Sequence, residues 1–216
     1  MGGNRTEFEF RLTARHLRRA LDRIAGRDPD VGDALDEVGY PAERRNDGPG
    51  YVQLLRIIAG QQLSVKAAAT IFGRLESAMD GAPSPRRLLD LDDSALRAIG
   101  LSRQKIDYAR GLSRSVLDGE LDPAGLAALP DDEVVRRITA LKGFGRWSAE
   151  MFLLFALGRP DVWPADDLGI QAGLHRLKNL PERPDRRRAD EIGRAWRPDR
   201  GAAAIFVWHY HASAPM

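Results

Sequence analysis

The sequence contains no cysteine among its 216 residues. This excludes disulfides, thiolate catalysis, Cys-ligated zinc and iron–sulfur clusters. No apolar run approaches the roughly 18 residues that a membrane-spanning helix needs. The first ten residues, MGGNRTEFEF, are too charged for a secretory signal peptide. These absences lead us to expect a cytoplasmic protein.

A regular alternation of apolar and polar residues is also missing, which argues against a fold built on sheets. Apolar residues instead recur at helical spacing, as with Leu12, Leu17, Leu21 and Ile24. The hydrophobic content of 43% is typical of a globular chain with a core. The sequence therefore predicts an all-α protein, formed as one large domain or two small lobes.

Glycine, proline and Asp/Ser caps divide the chain into predicted helices, with Ser64 and Ser102 as N-caps. These helices cover residues 10–25, 33–38, 51–59, 65–79, 85–90, 92–98, 103–117, a segment opened by Pro123, 131–142, 146–157, 167–178 and 200–212. Between the last two lies a charged segment for which we predict no helix. There is no tandem repeat and no low-complexity tail.

The net charge is only +2, but arginines cluster along the chain. The clusters are Arg44-Arg45, Arg86-Arg87, Arg136-Arg137 and Arg186-Arg187-Arg188. Arginine suits phosphate contacts because its planar guanidinium donates two parallel hydrogen bonds. A GC-rich coding bias produces the same composition, so the clusters alone leave nucleic-acid binding open.

The stretch KGFGRWSAE predicts a tight turn between two helices. Gly143 and Gly145 allow positive φ angles and a close backbone approach to a partner. The unpaired N–H groups that open the second helix form a docking point for a phosphate. An ordinary glycine-capped helical hairpin fits the same pattern, so both interpretations stay open on spacing alone.

Downstream of the turn, the connector GRPDVWPADDLGI carries adjacent acidic residues, Asp166 and Asp167. The helix and connector before them could fold back and bring them near a strand bound at the turn. Their position at a predicted helix start also suits capping residues. Spacing alone therefore supports both a capping role and a chemical role.

Three stretches together resemble a known family. Leu141, Gly143, Gly145, Ser148 and Ala149 fit the pattern L-x-G-x-G-x-x-[ST]-A of helix-hairpin-helix DNA glycosylases. The stretch EMFLLFALGRPDVWPADDLGIQAGL, with IIAGQQLSVKAAATIFGRL upstream, resembles the 3-methyladenine DNA glycosylase branch, which includes the alkylbase glycosylase II type. The resemblance implies an all-helical fold of two lobes with the active-site cleft between them and no N-terminal β domain. We expect residues 1–50 to be a helical extension packing on a core of residues 51–216, with the hairpin at about 138–150.

The resemblance assigns the catalytic carboxylate to Asp167 and leaves Asp166 as a capping or supporting residue. A purine alkylated at N3 or N7 is already cationic, so it leaves without a general acid. One carboxylate could then suffice, by stabilising the oxocarbenium-like sugar and helping to position or deprotonate water. Glycoside hydrolases usually need two carboxylates because their leaving group must be protonated.

Trp147 occupies the position at which bifunctional relatives carry a Schiff-base lysine. The resemblance therefore implies a monofunctional enzyme that leaves an abasic site.

The target nucleotide must be flipped into a pocket, where aromatic faces hold a cationic base. The resemblance implies that Trp147 and Trp208 line this pocket, with Tyr51 and Phe144 as weaker candidates and core packing as the alternative for each. Trp163 and Trp196 are expected to be structural.

The remaining DNA contacts are implied by the same resemblance. They are the hairpin residues Gly143, Gly145, Arg146 and Ser148 and the wedge loop Gln61, Gln62 and Leu63. Either Gln62 or Leu63 fills the gap left by the flipped nucleotide.

No cofactor is expected, and the i, i+2 spacing of His209 and His211 argues against a side-chain metal site. Hairpin carbonyls could hold a monovalent cation.

We therefore expect a monomeric, nucleoid-associated enzyme of base excision repair that acts on double-stranded DNA containing alkylated purines, of the 3-methyladenine and 7-methylguanine type. Two alternatives stay open. One is a non-catalytic helix-hairpin-helix DNA-binding or damage-sensing protein. The other is a glycosylase for deaminated, oxidised or etheno bases.

Overall fold

Every regular element in the computed structural model, which describes residues 10–43 and 48–213, is helical. The all-α prediction is thus confirmed. The α-helices are α1 (Ala14–Ala25), α2 (Pro29–Val38), α3 (Tyr51–Gly60), α4 (Val65–Ala78), α5 (Pro85–Asp90), α6 (Asp93–Ile99), α7 (Arg103–Leu117), α8 (Asp131–Thr139), α9 (Arg146–Met151), α10 (Leu168–Leu177), α11 (Arg186–Gly193) and α12 (Arg200–Ser213). Among the described residues, no helix has the length and apolarity needed to cross a bilayer.

The chain forms two compact units. In the described ranges, the first unit spans residues 48–152 and contains α3 to α9. The second unit combines residues 10–43 with 153–213 and contains α1, α2 and α10 to α12. The predicted division into an extension, residues 1–50, and a core, residues 51–216, stays a prediction.

Side-chain caps open several helices, as the sequence predicted. The Ser64 hydroxyl accepts a hydrogen bond from the Ala67 N–H at 3.3 Å, and the Ser102 hydroxyl accepts one from the Lys105 N–H at 3.2 Å. Each bond satisfies an N–H group that has no acceptor within its helix. These polar caps therefore fix where α4 and α7 begin.

The core of the first unit forms where α4 and α7 pack on α3. Leu54, Leu55 and Ile58 of α3 are at most 1% exposed. They lie at i, i+1 and i+4, which places them on one side of the helix. Burial of each of these side chains contributes about 1.5–3 kcal/mol to folding.

In the second unit, α10 packs closely on α12 because α10 carries glycines on the contacting face. A Cβ at Gly173 would lie 2.5 Å from Val207 Cγ1. Trp163 and Trp196, predicted to be structural, are 5% and 0% exposed and meet edge to face at 5.2 Å. Their indole N–H groups donate to the Ala189 carbonyl at 3.0 Å and to Asp28 at 2.7 Å, so both rings anchor this core.

Several predicted helix boundaries were wrong. The predicted 10–25 helix begins at Ala14, after the N-cap Thr13, and α8 ends at Thr139. The segment opened by Pro123 forms only the 3₁₀ turn Gly125–Ala128. The predicted 146–157 helix changes after Met151 to a π-helical turn, Phe152–Ala156.

The charged segment before α12 contains a helix that the sequence pattern did not indicate. This helix, α11, buries only Ala189 and Gly193. Because small residues give little apolar periodicity, the helix is not visible as an amphipathic pattern. The Asp185 side chain caps it by accepting the Arg188 N–H at 2.8 Å, and the 3₁₀ turn Arg194–Trp196 follows it.

Candidate active site

Within the first unit, a tight turn connects α8 to α9, as the sequence predicted. Gly143 has a φ of 92°, and a Cβ there would overlap the ring of Tyr108. Glycine is therefore required at this position for both backbone conformation and space. Gly145 is the N-cap of α9, is exposed, and has open space around the position of a Cβ. The two glycines thus have different roles.

Gln61, which ends α3, connects the wedge loop to this turn. Its side-chain Nε2 donates to the Gly143 carbonyl at 2.8 Å and lies 3.4 Å from the Ser148 hydroxyl. Ser148 is only 2% exposed. Gln61 and Ser148 therefore hold the hairpin in shape from the protein side. Their predicted DNA contacts stay a proposal.

Gln62 and Leu63 follow at the tip of the same loop, where both are exposed. Gln62 has a φ of 58°, a left-handed conformation that costs a non-glycine residue roughly 1–2 kcal/mol. Leu63 is 41% exposed. Both therefore stay candidates for the wedge.

Arg146 and Trp147 open α9. The Arg146 Nε donates to Glu150 Oε1 at 2.8 Å, and the Glu150 side chain is 9% exposed. Part of the positive charge at the hairpin therefore neutralises a buried carboxylate. Trp147 is half-buried, so part of its ring surface faces solvent.

Substitutions can distinguish the roles of the two hairpin glycines. We expect Gly143→Ala to lower both the melting temperature and the affinity for duplex DNA, because the turn must open to clear Tyr108. The loss of stability should be about 1–3 kcal/mol. Gly145→Ala should leave the melting temperature within about 2 °C of wild type, since open space surrounds a Cβ there.

Duplex affinity then tests the proposed backbone contact at Gly145. We expect Gly145→Ala to weaken binding of an undamaged duplex, measured by fluorescence anisotropy, although the fold is unchanged. Equal affinity of Gly145→Ala and wild type would contradict a close approach of DNA at this glycine.

Tyr51 and Phe144, the weaker pocket candidates, lie in the core of the first unit. They are 9% and 5% exposed. The Tyr51 hydroxyl is 2.8 Å from the Ser113 hydroxyl, whose own proton can be donated to the Ala109 carbonyl at 2.8 Å. Burial raises the pKa of Tyr51 to about 12, although the Ser113 hydrogen bond lowers it in part. Their pocket role stays a prediction, and their burial favours packing.

The buried tyrosine makes stability depend on pH at the alkaline end. Because the folded pKa of Tyr51 is above its ordinary value of 10, the neutral ring contributes stability that is complete below pH 10 and is lost as pH rises toward 12. We expect wild type to lose about 1 kcal/mol more than Tyr51→Phe between pH 9 and pH 11. Urea unfolding at both pH values measures this difference, and identical losses would contradict it.

In the second unit, Asp167 is the N-cap of α10. Its Oδ1 accepts the Ile170 N–H at 2.9 Å and the Trp208 indole N–H at 2.8 Å. Two donors on one oxygen fix the orientation of the carboxylate. Asp167 is half-buried, whereas Asp166 is exposed and pairs with Arg186 at 3.4 Å. The structure thus gives the capping role to Asp167, whereas the resemblance had left Asp166 as a capping or supporting residue.

Trp208 is held from two sides. Its ring is stacked on Phe155 of the π-helical turn, with centroids 5.8 Å apart and planes at 29°. On the other side, a Cβ at Gly169 would lie 2.9 Å from Trp208 Cδ1 and 3.1 Å from Asp167 Oδ1. Glycine at this position therefore makes room for the Asp167–Trp208 hydrogen bond.

Phe155 and Gly169 were not singled out from the sequence. A signal exists for Gly169, because Gly169 and Gly173 are four residues apart on α10 and so lie on one face. Such spacing indicates close approach of another helix. Phe155 gave no signal within the apolar run MFLLFAL, where every residue looks like core.

His209 Nε2 lies 3.1 Å from the Val38 carbonyl. In residues 10–43 and 48–213, no group of three or more potential metal-ligating His, Cys, Asp or Glu side chains occurs.

The arginine clusters are largely engaged on the surface. Arg87 pairs with Asp80, Arg136 and Arg137 with Glu133, and Arg187 and Arg188 with Glu191. Exposed pairs of this kind contribute at most about 1 kcal/mol each to stability. Arg44-Arg45 lies outside the described residues.

The first unit thus contains a glycine hairpin between two helices, and the second contains a candidate catalytic carboxylate held at a helix N-terminus. Residues 55–198 match the HhH-GPD superfamily of base excision DNA repair proteins. The chain belongs to this superfamily.

The chain is similar to several 3-methyladenine DNA glycosylases. DNA-3-methyladenine glycosylase 1 of Schizosaccharomyces pombe is 38% identical over 161 residues, which are 73% of this chain and 71% of the relative. The solved structure of a 3-methyladenine DNA glycosylase of the same yeast with abasic DNA has a TM-score of 0.83 at 34% identity and covers 88% of this chain and 95% of the other. A DNA-3-methyladenine glycosidase from Bacillus halodurans has a TM-score of 0.71 at 34% identity, covering 90% and 89%.

Proposed function

We propose that this protein is a monofunctional DNA glycosylase that hydrolyses the N-glycosidic bond of alkylated purines, of the 3-methyladenine and 7-methylguanine type, and leaves an abasic site. The supporting relatives carry the name 3-methyladenine DNA glycosylase, and one of them was solved with abasic DNA. The function is a step of base excision repair, in agreement with the family.

The observation that carries this proposal is the hydrogen bonding of Asp167. Its Oδ1 is bound by both Ile170 N–H and Trp208 N–H, so the carboxylate keeps one orientation. A protein that only binds DNA does not need a carboxylate near the strand, since an acidic group there repels phosphates. The arrangement therefore favours catalysis over damage sensing.

The chemistry needs one carboxylate. When the bond from C1′ to the purine nitrogen breaks, the electron pair goes to the cationic base, which leaves neutral. The sugar develops positive charge, and Asp167 stabilises that charge electrostatically. Water then adds to C1′ and loses a proton, and Asp167 helps to position or deprotonate it.

Trp147 determines the expected outcome for the DNA strand. The position at which the bifunctional members carry a lysine holds tryptophan, so it offers no amine for a Schiff base. Trp147 and Trp208 are both half-buried, and each has ring surface for a flipped cationic base. The strand should therefore stay intact until the abasic site is cleaved by other means.

DNA is held, in this proposal, by the hairpin residues Gly143, Gly145, Arg146 and Ser148 and by the wedge loop Gln61, Gln62 and Leu63. The ordered turn, fixed by the Gln61–Gly143 hydrogen bond, presents the first N–H groups of α9 to a phosphate. The protein acts as a monomer on double-stranded DNA, and binding to chromosomal DNA would place it in the cytoplasm on the nucleoid.

A monovalent cation on the hairpin is part of this proposal, and no other cofactor is. Backbone carbonyls of the turn are the oxygen ligands that hard cations prefer. The Gly143 carbonyl already accepts Gln61, so other carbonyls of the turn would hold the ion. Such an ion would draw a DNA phosphate to the turn.

Single-lesion duplexes test the substrate class. We expect base release from duplexes with 3-methyladenine or 7-methylguanine, together with strands that break only after alkali. Release confined to oxidised, deaminated or etheno bases would favour the second glycosylase class. Tight binding of every lesion without release would favour a sensor.

A further inference from the structure

The second unit contains a cavity of about 390 Å³ that the proposed reaction does not use. Its polar lining consists of Arg11, His16, Arg19, Arg23 and Asp199. His16, Arg19 and Arg23 lie on α1 at i, i+3 and i+7, which is one face of a helix. The helix therefore presents its basic groups together to one space.

The charges in this cavity do not cancel. Arg23 is bound to Asp199 through Nε at 3.1 Å and Nη2 at 2.6 Å, and this hydrogen bonding raises the pKa of Arg23. Because Asp199 is 6% exposed, its charge is committed to that pair and to the neighbouring Arg27 at 3.9 Å. Arg19 adds positive charge that no acidic residue of the lining offsets.

Arg19 is a cation of this set that has no partner among the described residues. In the described part of the chain, its guanidinium makes no hydrogen bond, ion pair or ring contact. An anion in the cavity would give the Arg19 guanidinium an acceptor.

We propose that this cavity is a binding site for a phosphate ester, separate from the hairpin. A planar guanidinium matches the geometry of two phosphate oxygens, and the cavity volume lies in the range of small-ligand sites. The ester comes either from a free nucleotide or from the DNA backbone. The inference does not rest on the proposed glycosylase activity, because it concerns binding and needs no damaged base.

Arg19→Gln tests the site, with Arg15→Gln as the matched control. Arg15 lies on the same helix, is exposed, and does not line the cavity, so both changes remove one charge from α1. In the first arm, inorganic phosphate and a 5′-mononucleotide are titrated into wild type and both variants by calorimetry. In the second arm, an undamaged duplex is titrated at fixed ionic strength. Melting temperatures of all three proteins confirm that each is folded.

We expect Arg19→Gln to weaken binding about tenfold in at least one arm, and Arg15→Gln by less than about twofold. A loss in the first arm identifies a free phosphate ester as ligand, and a loss confined to the second arm identifies the DNA backbone. Equal affinities of the two variants in both arms would overturn the proposal. Base release by wild type is measured separately, so failure of this site and failure of the glycosylase proposal are distinct results.

Discussion

The Asp167→Asn variant should release alkylated bases about 10²- to 10³-fold more slowly than wild type under single-turnover conditions. The substitution removes the negative charge that, in our proposal, stabilises the developing sugar cation. It keeps the shape of the side chain and an oxygen that can accept Ile170 N–H and Trp208 N–H. Asparagine is about as effective as aspartate at the N-cap of a helix, so α10 should remain intact.

Asp166→Asn is the matched control for this change. Asp166 is the neighbouring carboxylate, but it is exposed and pairs only at the surface with Arg186. We expect this variant to keep the wild-type rate within about twofold, since surface ion pairs contribute little. Wild-type rates for Asp167→Asn, or equal losses in both variants, would contradict the assignment of Asp167.

Gly169→Ala should lower the catalytic rate about 10- to 100-fold while Asp167 remains unchanged. The added Cβ would lie 2.9 Å from Trp208 Cδ1 and 3.0 Å from Trp208 Nε1, which is closer than Cβ contacts in proteins allow. Trp208 cannot retreat freely because it is stacked on Phe155. Its hydrogen bond to Asp167 must therefore lengthen or break, and a displacement of about 1 Å at a reacting group costs on the order of 10²-fold in rate.

Gly111→Ala is the corresponding control. Gly111 lies within α7, and a Cβ there meets no atom within 4 Å. Alanine should therefore raise stability by about 0.5–1 kcal/mol without changing the rate. Trp208→Phe gives a second comparison, because it keeps a ring beside Phe155 but has no N–H for Asp167. If both Gly169→Ala and Trp208→Phe retain full single-turnover rates, Trp208 does not position the carboxylate.

Much of the fold could be predicted because its signals are local. Ser64 and Ser102 cap helices through their own backbone neighbours, and Gly143 has the positive φ that a turn glycine suggests. The helix α11 was not predicted because it buries only small residues. The π-helical turn after Met151 was also not predicted, since nothing in an all-apolar run distinguishes a π-helix from an α-helix.

The sequence indicates candidate residues for the site but not the contacts between them. Asp167 and Trp208 are 41 residues apart, and their hydrogen bond depends on how α10 packs against α12. The hydrogen bond from Gln61 to Gly143 joins residues 82 positions apart, so it also depends on tertiary packing. Both Gln61 and Trp208 were assigned to DNA or substrate from resemblance, whereas the structure adds positioning roles that only tertiary packing reveals.

We expect this protein to remove alkylated bases and to do nothing further to the strand. The most direct measurement is chromatography of the free bases released from a methylated duplex, combined with gel analysis of the same strand before and after alkali. We predict free 3-methyladenine or 7-methylguanine in amounts equal to the alkali-labile sites, with no breaks before alkali. No free base above the level of Asp167→Asn would contradict the claim.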